Sequence, residues 1–260
     1  MDNRTYLSEF ASQGYLILRG VFNPQELSKI LPILQNHHEA WIESNRAFYE
    51  TQAVNSAHIT NKKYLPDNER LTLFNFITDE KILNAIASAI PEEPTFLGTQ
   101  LFFNPHNHSQ KNYWHRDMQY NNEPLEKQKA NLTNQIPLHI RIAMQDEPGL
   151  ELIPGTHKRW DTLEEYTVRM ENDGRHKYDE LPGTIKLPLN VGDILVFSAN
   201  MIHRGLYGQD RFAFDLLFTD QNPEILKFAD PSCLPDQNML RKITNKAPYE
   251  RTLSFIQSRA

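Results

Sequence analysis

The feature that most constrains this chain is a change of hydrophobic period near Thr95. Before it, the pattern is mostly helical. Residues 6–12 read as a short helix ended by Gly14, and the apolar run Tyr15-Leu16-Ile17-Leu18 reads as strand. Asn23 and Pro24 supply an N-cap and a first-turn proline for a helix with Leu27, Ile30, Leu31 and Leu34 on one side. Residues 42–70 carry little pattern and read as a loop-rich stretch able to cover a pocket mouth, and a further helix runs from Asp79 to about Ala89, stopping before Pro91. After Thr95 the period is that of strands, at 96–103, 112–118, 138–145, 150–153, 184–187, 194–198 and 211–219, separated by Pro, Gly, Asn and Asp clusters. Many short strands behind a helical layer predict a mainly β fold with flanking helices, a double-stranded β-helix (jelly-roll, cupin-like) barrel that encloses a pocket.

No linker, low-complexity tract or repeat marks a seam, so the 260 residues are expected to form a single domain. Its parts are a helical N-terminal layer over 1–94, a jelly-roll core over 95–220 and a C-terminal extension over 221–260. A formal net charge of −6 offers no basic stripe, which argues against nucleic acid as partner. No apolar run approaches the ~18 residues of a membrane span. Cys233 is the only cysteine, excluding an internal disulfide, and the start MDNRTYLSEF lacks a signal-peptide core; a cytoplasmic protein is expected, as monomer or homodimer.

The chemistry-bearing residues are few. Tyr113-Trp114-His115-Arg116-Asp117 contains His-x-Asp, and on a strand residues i and i+2 share a face, so imidazole and carboxylate converge. His203, between two strand-like runs, is the best candidate for a third ligand. Two histidines and one carboxylate with open positions are the pattern of non-haem iron(II) oxygenases, whereas structural zinc is usually held in a closed tetrahedron. Taken singly, these residues have ordinary readings: His115 a strand histidine bonded to its neighbour, His203 a turn histidine, Arg211 a solvated charge. Their order along the chain favours a common site.

With these motifs in view, the sequence resembles the phytanoyl-CoA dioxygenase family, within the iron(II)/2-oxoglutarate-dependent oxygenases, from about Gln13 to Phe218. The resemblance is carried by Gly14-Tyr15-Leu16-Ile17-Leu18-Arg19-Gly20-Val21-Phe22, by Trp114-His115-Arg116-Asp117, by the segment from Asp146 to Lys158 with Pro154-Gly155-Thr156-His157, and by Gly192-Asp193-Ile194-Leu195-Val196-Phe197 followed by His203 and Arg211. It implies that His115, Asp117 and His203 hold iron(II), and that Arg211 pairs with the far carboxylate of the co-substrate 2-oxoglutarate. A guanidinium suits that task because its fork matches both oxygens and stays charged. Arg204 is the rival, but Arg211 opens a strand and points inward with Ala213 and Asp215. Gln100 and Arg141 fall on strands whose family counterparts line the co-substrate pocket, although Gln100 also reads as an outward polar strand residue and Arg141 as a surface charge or a substrate contact.

The sequence departs from the family where Gly205 replaces a frequent small hydroxyl, and in the short gap between His203 and Arg211. His157 is read as structural, hydrogen-bonded after a turn; His106 and His108 as loop histidines; one of Tyr113 and Trp114 as packing. The implied reaction consumes O2 and 2-oxoglutarate, releases succinate and CO2, and hydroxylates a small organic substrate. Asp117 is present where halogenating relatives lack a carboxylate. The alternatives are a cupin-type metal-dependent dioxygenase that needs no 2-oxoglutarate, and a non-catalytic binding protein on the same fold. Residues 42–70, 119–136 and 158–182 are expected to choose the substrate.

Overall fold

A computed structural model describes residues 3–208 and 210–259. The helices are α1 (Asn3–Gln13), α2 (Pro24–Leu27), α3 (Leu31–Ser44), α4 (Arg46–Thr51), α5 (Asp67–Ile77), α6 (Glu80–Ala87), α7 (Leu125–Asn131), α8 (Leu163–Arg169), α9 (Pro223–Leu226), α10 (Gln237–Leu240) and α11 (Ala247–Gln257). The strands are β1 (Tyr15–Leu18), β2 (Asn55–Ala57), β3 (Thr95–Phe103), β4 (Leu138–Ala143), β5 (Glu147–Leu152), β6 (Ile185–Leu189), β7 (Ile194–Ser198), β8 (His203–Gly205) and β9 (Phe212–Thr219). They form a six-stranded sheet in the order β1-β7-β4-β9-β3-β2 and a three-stranded sheet in the order β6-β5-β8, antiparallel throughout. Inward side chains of both, Ala143, Leu195 and Phe197 against Leu150, Leu152, Leu187 and Leu189, pack into one apolar cluster. The jelly-roll expectation holds.

Strand alternation decides what each face of the large sheet does. On β4, Leu138-His139-Ile140-Arg141-Ile142 alternates, so Ile140 and Ile142 enter the main core while His139 and Arg141 turn to the space between the sheets. On β9, Phe214, Leu216 and Phe218 pack outward while Ala213 and Asp215 turn inward. The outer face is sealed by helices: Leu34 of α3, Leu73 and Phe74 of α5, Ile82 and Ile86 of α6 and Tyr249 of α11 all belong to its core. The Tyr249 hydroxyl donates to the Phe74 carbonyl oxygen (2.8 Å), so the C-terminal extension closes this layer.

Several expectations need correction. The stretch 42–70 is not loop-rich: α3 continues to Ser44, α4 and β2 follow, and α5 begins at Asp67. Asp67 and Glu69 in the first turn of α5 suit the helix dipole, and Leu73, Phe74 and Ile77 are its buried stripe. Within the mostly helical N-terminal layer, β1 falls on the expected run Tyr15–Leu18, while β2 was not expected, and the two form both edges of the large sheet. The strand expected at 112–118 reduces to a single bridge between His115 and His203 before a 3-10 turn, Asp117–Asn121. Gly149 has φ +73, and an added Cβ would lie 1.9 Å from the Leu187 carbonyl oxygen; the register shift it permits between Glu147 and Leu150 carries β5 past the site.

Candidate metal and co-substrate site

The two histidines face each other because their backbones do. His115 and His203 exchange both N–H···O bonds (3.0 Å each), so their side chains emerge on one face with ring centroids 4.2 Å apart. Each Nδ1 lies near the carbonyl oxygen two residues earlier, His115 to Tyr113 (3.2 Å) and His203 to Met201 (3.0 Å). A proton on each Nδ1 leaves both Nε2 lone pairs free, the tautomer that metal-binding imidazoles use. Asp117 sits at the start of the 3-10 turn, where Asp117 N–H donates to the Ala199 carbonyl oxygen (3.2 Å). Its Oδ1 lies 3.4 Å from His115 Nε2 and 3.6 Å from His203 Nε2. The convergence thus comes from a strand running into a turn rather than from the strand pleat alone. One ligand atom from each of the three lies within 4.8 Å of the others.

The middle residue of His-x-Asp, which sequence reasoning passed over, fixes this turn. Arg116 is fully buried, donates to Asp161 Oδ1 (2.8 Å) and to the carbonyl oxygens of Thr156 (2.7 Å) and Asn200, and Asp161 also accepts from Arg169. Burial pulls its pKa down to about 10 even beside Asp161.

Titration of the triad follows from its surroundings. Burial, and next the adjacent His115, push His203 down to about 3, so its imidazole is neutral. Burial opposes ionisation of Asp117, but the neighbouring imidazoles of His115, His139 and His203 hold its carboxyl well below the usual range.

Beside the triad lies a cavity of about 340 Å³, and all six expected site residues, His115, Asp117, His203, Arg211, Gln100 and Arg141, line it. Arg211 is buried, yet none of its three guanidinium nitrogens has a hydrogen-bond partner. Glu147 Oε2 is the nearest carboxylate oxygen, 3.7 Å from Arg211 Nε, and the guanidinium lies over the rings of Phe102 (5.1 Å) and Tyr207 (5.4 Å). Arg141 spends its Nε on Asp215 Oδ1 (2.8 Å) and leaves Nη1 unpartnered; Gln100 Oε1 is unpartnered as well. A buried cation with no bonded acceptor is costly unless a ligand completes it. Arg204, the rival, is consumed by Glu151 (2.7 Å) and Glu180 (2.8 Å). Gly205 is explained too: a Cβ there would lie 2.8 Å from Arg211 Nη1, so a hydroxyl residue would displace the guanidinium.

The remaining candidate residues divide. His157 is outside the site and packs beside Gly14 and Phe10 as a structural residue, but neither ring nitrogen has a partner, so it is not the hydrogen-bonded histidine expected; burial lowers it to about 4. His106 and His108 are exposed. Trp114 is buried, donating Nε1–H to the Asp179 carbonyl oxygen (2.9 Å), whereas Tyr113 lines the cavity. His139 was missed. It is buried with Nε2 2.8 Å from Asp117 Oδ2 and Nδ1 3.1 Å from Asp215 Oδ2, and the signal was its position two residues before Arg141 on the same strand face.

The family model described as phytanoyl-CoA dioxygenase matches residues 10–207. This chain belongs to the phytanoyl-CoA dioxygenase family. No curated protein sequence matches. Solved structures share the fold at low identity. AviO1 from Streptomyces viridochromogenes Tue57 is 16% identical, with a TM-score of 0.56 over 90% of this chain and 97% of that one. EctD from S. alaskensis with bound Fe is 15% identical, with a TM-score of 0.57 over 85% and 77%. The epimerase SnoN from nogalamycin biosynthesis, in complex with Fe3+, alpha ketoglutarate and nogalamycin RO, is 14% identical, with a TM-score of 0.52 over 84% of each chain. Among the described residues, no helix of this family member is long and apolar enough to cross a membrane.

Proposed function

We propose that the protein is an iron(II)/2-oxoglutarate-dependent dioxygenase that hydroxylates a small, uncharged organic substrate. The observation that carries the reading is the buried, unpartnered Arg211 guanidinium in the same cavity as the His115, Asp117 and His203 donor set. Two imidazoles and a carboxylate are the donors of a facial iron site. The unsatisfied donors of Arg211, with Arg141 Nη1, fit the carboxylate of a bound keto acid.

In this reading His115, Asp117 and His203 hold the iron, Arg211 orients the far carboxylate of 2-oxoglutarate, and Gln100 and Arg141 complete that pocket. When bound, iron and 2-oxoglutarate supply the oxidising power, drawn from O2 and accompanied by loss of CO2 and succinate. The chain itself supplies aim and dryness. Phe102 and Tyr207 flank the guanidinium and keep water from it, and burial pushes the Tyr207 hydroxyl up to about 12, so it stays a neutral donor.

The substrate class follows from charge balance. In the cavity and just behind its wall stand three cations, His139, Arg141 and Arg211, and three anions, Asp117, Asp215 and Glu147. A doubly charged metal and a doubly charged keto acid preserve that balance. The rest of the lining is mainly apolar, including Leu97, Met118, Pro137, Leu217, Ile225 and Phe228, and its polar groups, Asn55, Asn121, Gln135, Asn200 and the hydroxyls of Tyr113 and Tyr120, are neutral. A charged substrate would enter with no counter-ion, at a cost of several kcal/mol.

The test is anaerobic titration of the protein with iron(II) and 2-oxoglutarate, followed by the visible charge-transfer band of the chelate, then succinate release over paired neutral and charged compounds. A band in the wild type that is lost in Arg211→Ala, with turnover confined to neutral compounds, is expected. Equal activity of Arg211→Ala and wild type without keto acid would instead favour a dioxygenase that acts without 2-oxoglutarate.

A further inference from the structure

A row of alternating charges runs through the wall of the cavity. Asp117 Oδ2 meets His139 Nε2 at 2.8 Å, His139 Nδ1 meets Asp215 Oδ2 at 3.1 Å, and Asp215 Oδ1 accepts from Arg141 Nε at 2.8 Å. The row is built by sheet register. His139 and Arg141 are same-face neighbours on β4, and Asp215 stands opposite Arg141 on β9. His139, Arg141 and Asp215 are almost wholly buried, and the His139 ring stacks on Phe197 at 4.8 Å with 21° between planes.

The geometry divides the Asp117 carboxylate in two. Oδ1 faces both Nε2 atoms of the histidine pair, and Oδ2 is occupied by His139. Left alone, a carboxylate on the first residue of a turn can rotate, swap its oxygens or bind a cation through both. Because one ring contacts carboxylates at both nitrogens, it donates at both and its plane is fixed from two sides. The opposite end of the row, Arg141, borders the unpartnered donors of Arg211.

We propose that His139 is a positioning residue of the metal centre: it holds Asp117 by Oδ2 so that Oδ1 alone is presented beside His115 and His203, and Asp215 anchored by Arg141 holds His139 in turn. This rests on the reading of the triad as an iron site. Outer contacts of this kind are commonly worth 10–100-fold in metal affinity.

Two substitutions separate positioning from packing. His139→Gln carries an amide that reaches the place of Nε2, whereas His139→Asn stops near the place of Nδ1 and reaches only Asp215. Iron(II) affinity is measured anaerobically by chelator competition without 2-oxoglutarate, beside thermal unfolding of each metal-free protein. His139→Asn is expected to weaken iron binding about 10–100-fold and His139→Gln by less than about fivefold, with Asp215→Asn between them. The 2-oxoglutarate affinity at saturating iron should stay within about threefold of wild type in His139→Asn, since Arg211 is untouched. Equal iron affinity in all four proteins, or equal weakening by Gln and Asn, overturns the proposal. If both His139 variants unfold, Asp215→Asn decides alone, and wild-type affinity there overturns it. Wild-type protein that binds iron tightly but forms no band with 2-oxoglutarate sinks the assigned reaction while leaving this inference intact.

Discussion

The two faces of the six-stranded sheet are made by the same strands, are buried alike, and carry opposite chemistry. Outward, Ile140, Ile142, Phe214, Leu216 and Phe218 belong to the main apolar core. Inward, the neighbouring positions are His139, Arg141 and Asp215, with Gln100 alongside, and Arg141 Nη1 and Gln100 Oε1 are unsatisfied. The outer face is satisfied by its own packing, whereas the inner face keeps polar atoms that no group of the protein satisfies. Stability and function are therefore separable to a single residue step along one strand.

The sharpest way to break that contrast is to cut the inner face at the triad. Asp117→Ala should abolish iron binding and lower succinate formation at least about a thousandfold, because the two histidines alone hold the metal poorly. The metal-free protein should unfold within a few degrees of wild type, since Asp117 supports no apolar packing. Calorimetry beside a succinate assay checks both halves, and a large fall in the metal-free melting temperature would show that the inner face also carries stability.

The converse cut is Phe214→Ala, at a fully buried outer position. A loss of about 3–5 kcal/mol in urea unfolding is expected from transfer and cavity costs. At a temperature where the variant stays folded, its iron and 2-oxoglutarate affinities should match wild type.

Arg211 and Arg204 sharpen the comparison within one residue type. Both are buried, but Arg204 is neutralised by Glu151 and Glu180 while Arg211 has no bonded acceptor. Arg211→Gln should raise the 2-oxoglutarate dissociation constant about a hundredfold and cost little metal-free stability, because Glu147, 3.7 Å from Arg211, keeps Arg141 beside it. Arg204→Gln should do the reverse, leaving Glu151 buried and unpaired.

These contrasts also explain how much could be read before a structure existed. The shift to strand period marked β3, β4, β7 and β9 closely, because each alternates or runs apolar over at least five residues. The triad and Arg211 were legible because motif order carries information that no single residue does. His139 was not, because a histidine between Leu138 and Ile140 reads as an ordinary strand residue until the register sets Asp215 and Asp117 at its two nitrogens. Asp117 was expected on a strand and lies on a turn, since the pairing of residues 112–118 stops after one bridge and Arg116 spends its hydrogen bonds on the 156–161 loop. Helix α5 was hidden by its polar first turn, in which Asp67, Asn68 and Glu69 resemble a loop.

The smallest effect expected concerns acid and is followed at one ring of the outer, structural side. His37 on α3 is fully buried, with Ser56 Oγ 3.4 Å from Nε2 and the Tyr64 ring edge-on, and burial lowers its pKa from 6.5 to about 4. In the unfolded chain this histidine takes up a proton below pH 6.5, while in the folded protein it stays neutral until about pH 4. Between those values the unfolded state binds more protons, so the stability contributed by the neutral ring is complete above pH 6.5 and is lost as pH falls towards 4. Per buried histidine the loss by pH 5 is about 2 kcal/mol, and His157, also lowered to about 4, acts in the same direction. Urea midpoints of metal-free protein at pH 7 and pH 5 measure the loss, and His37→Leu should reduce it by about 2 kcal/mol, the share of one ring. An unchanged pH dependence in that variant would mean that the ring gains a proton without unfolding, and that the outer layer is less dry than its packing implies.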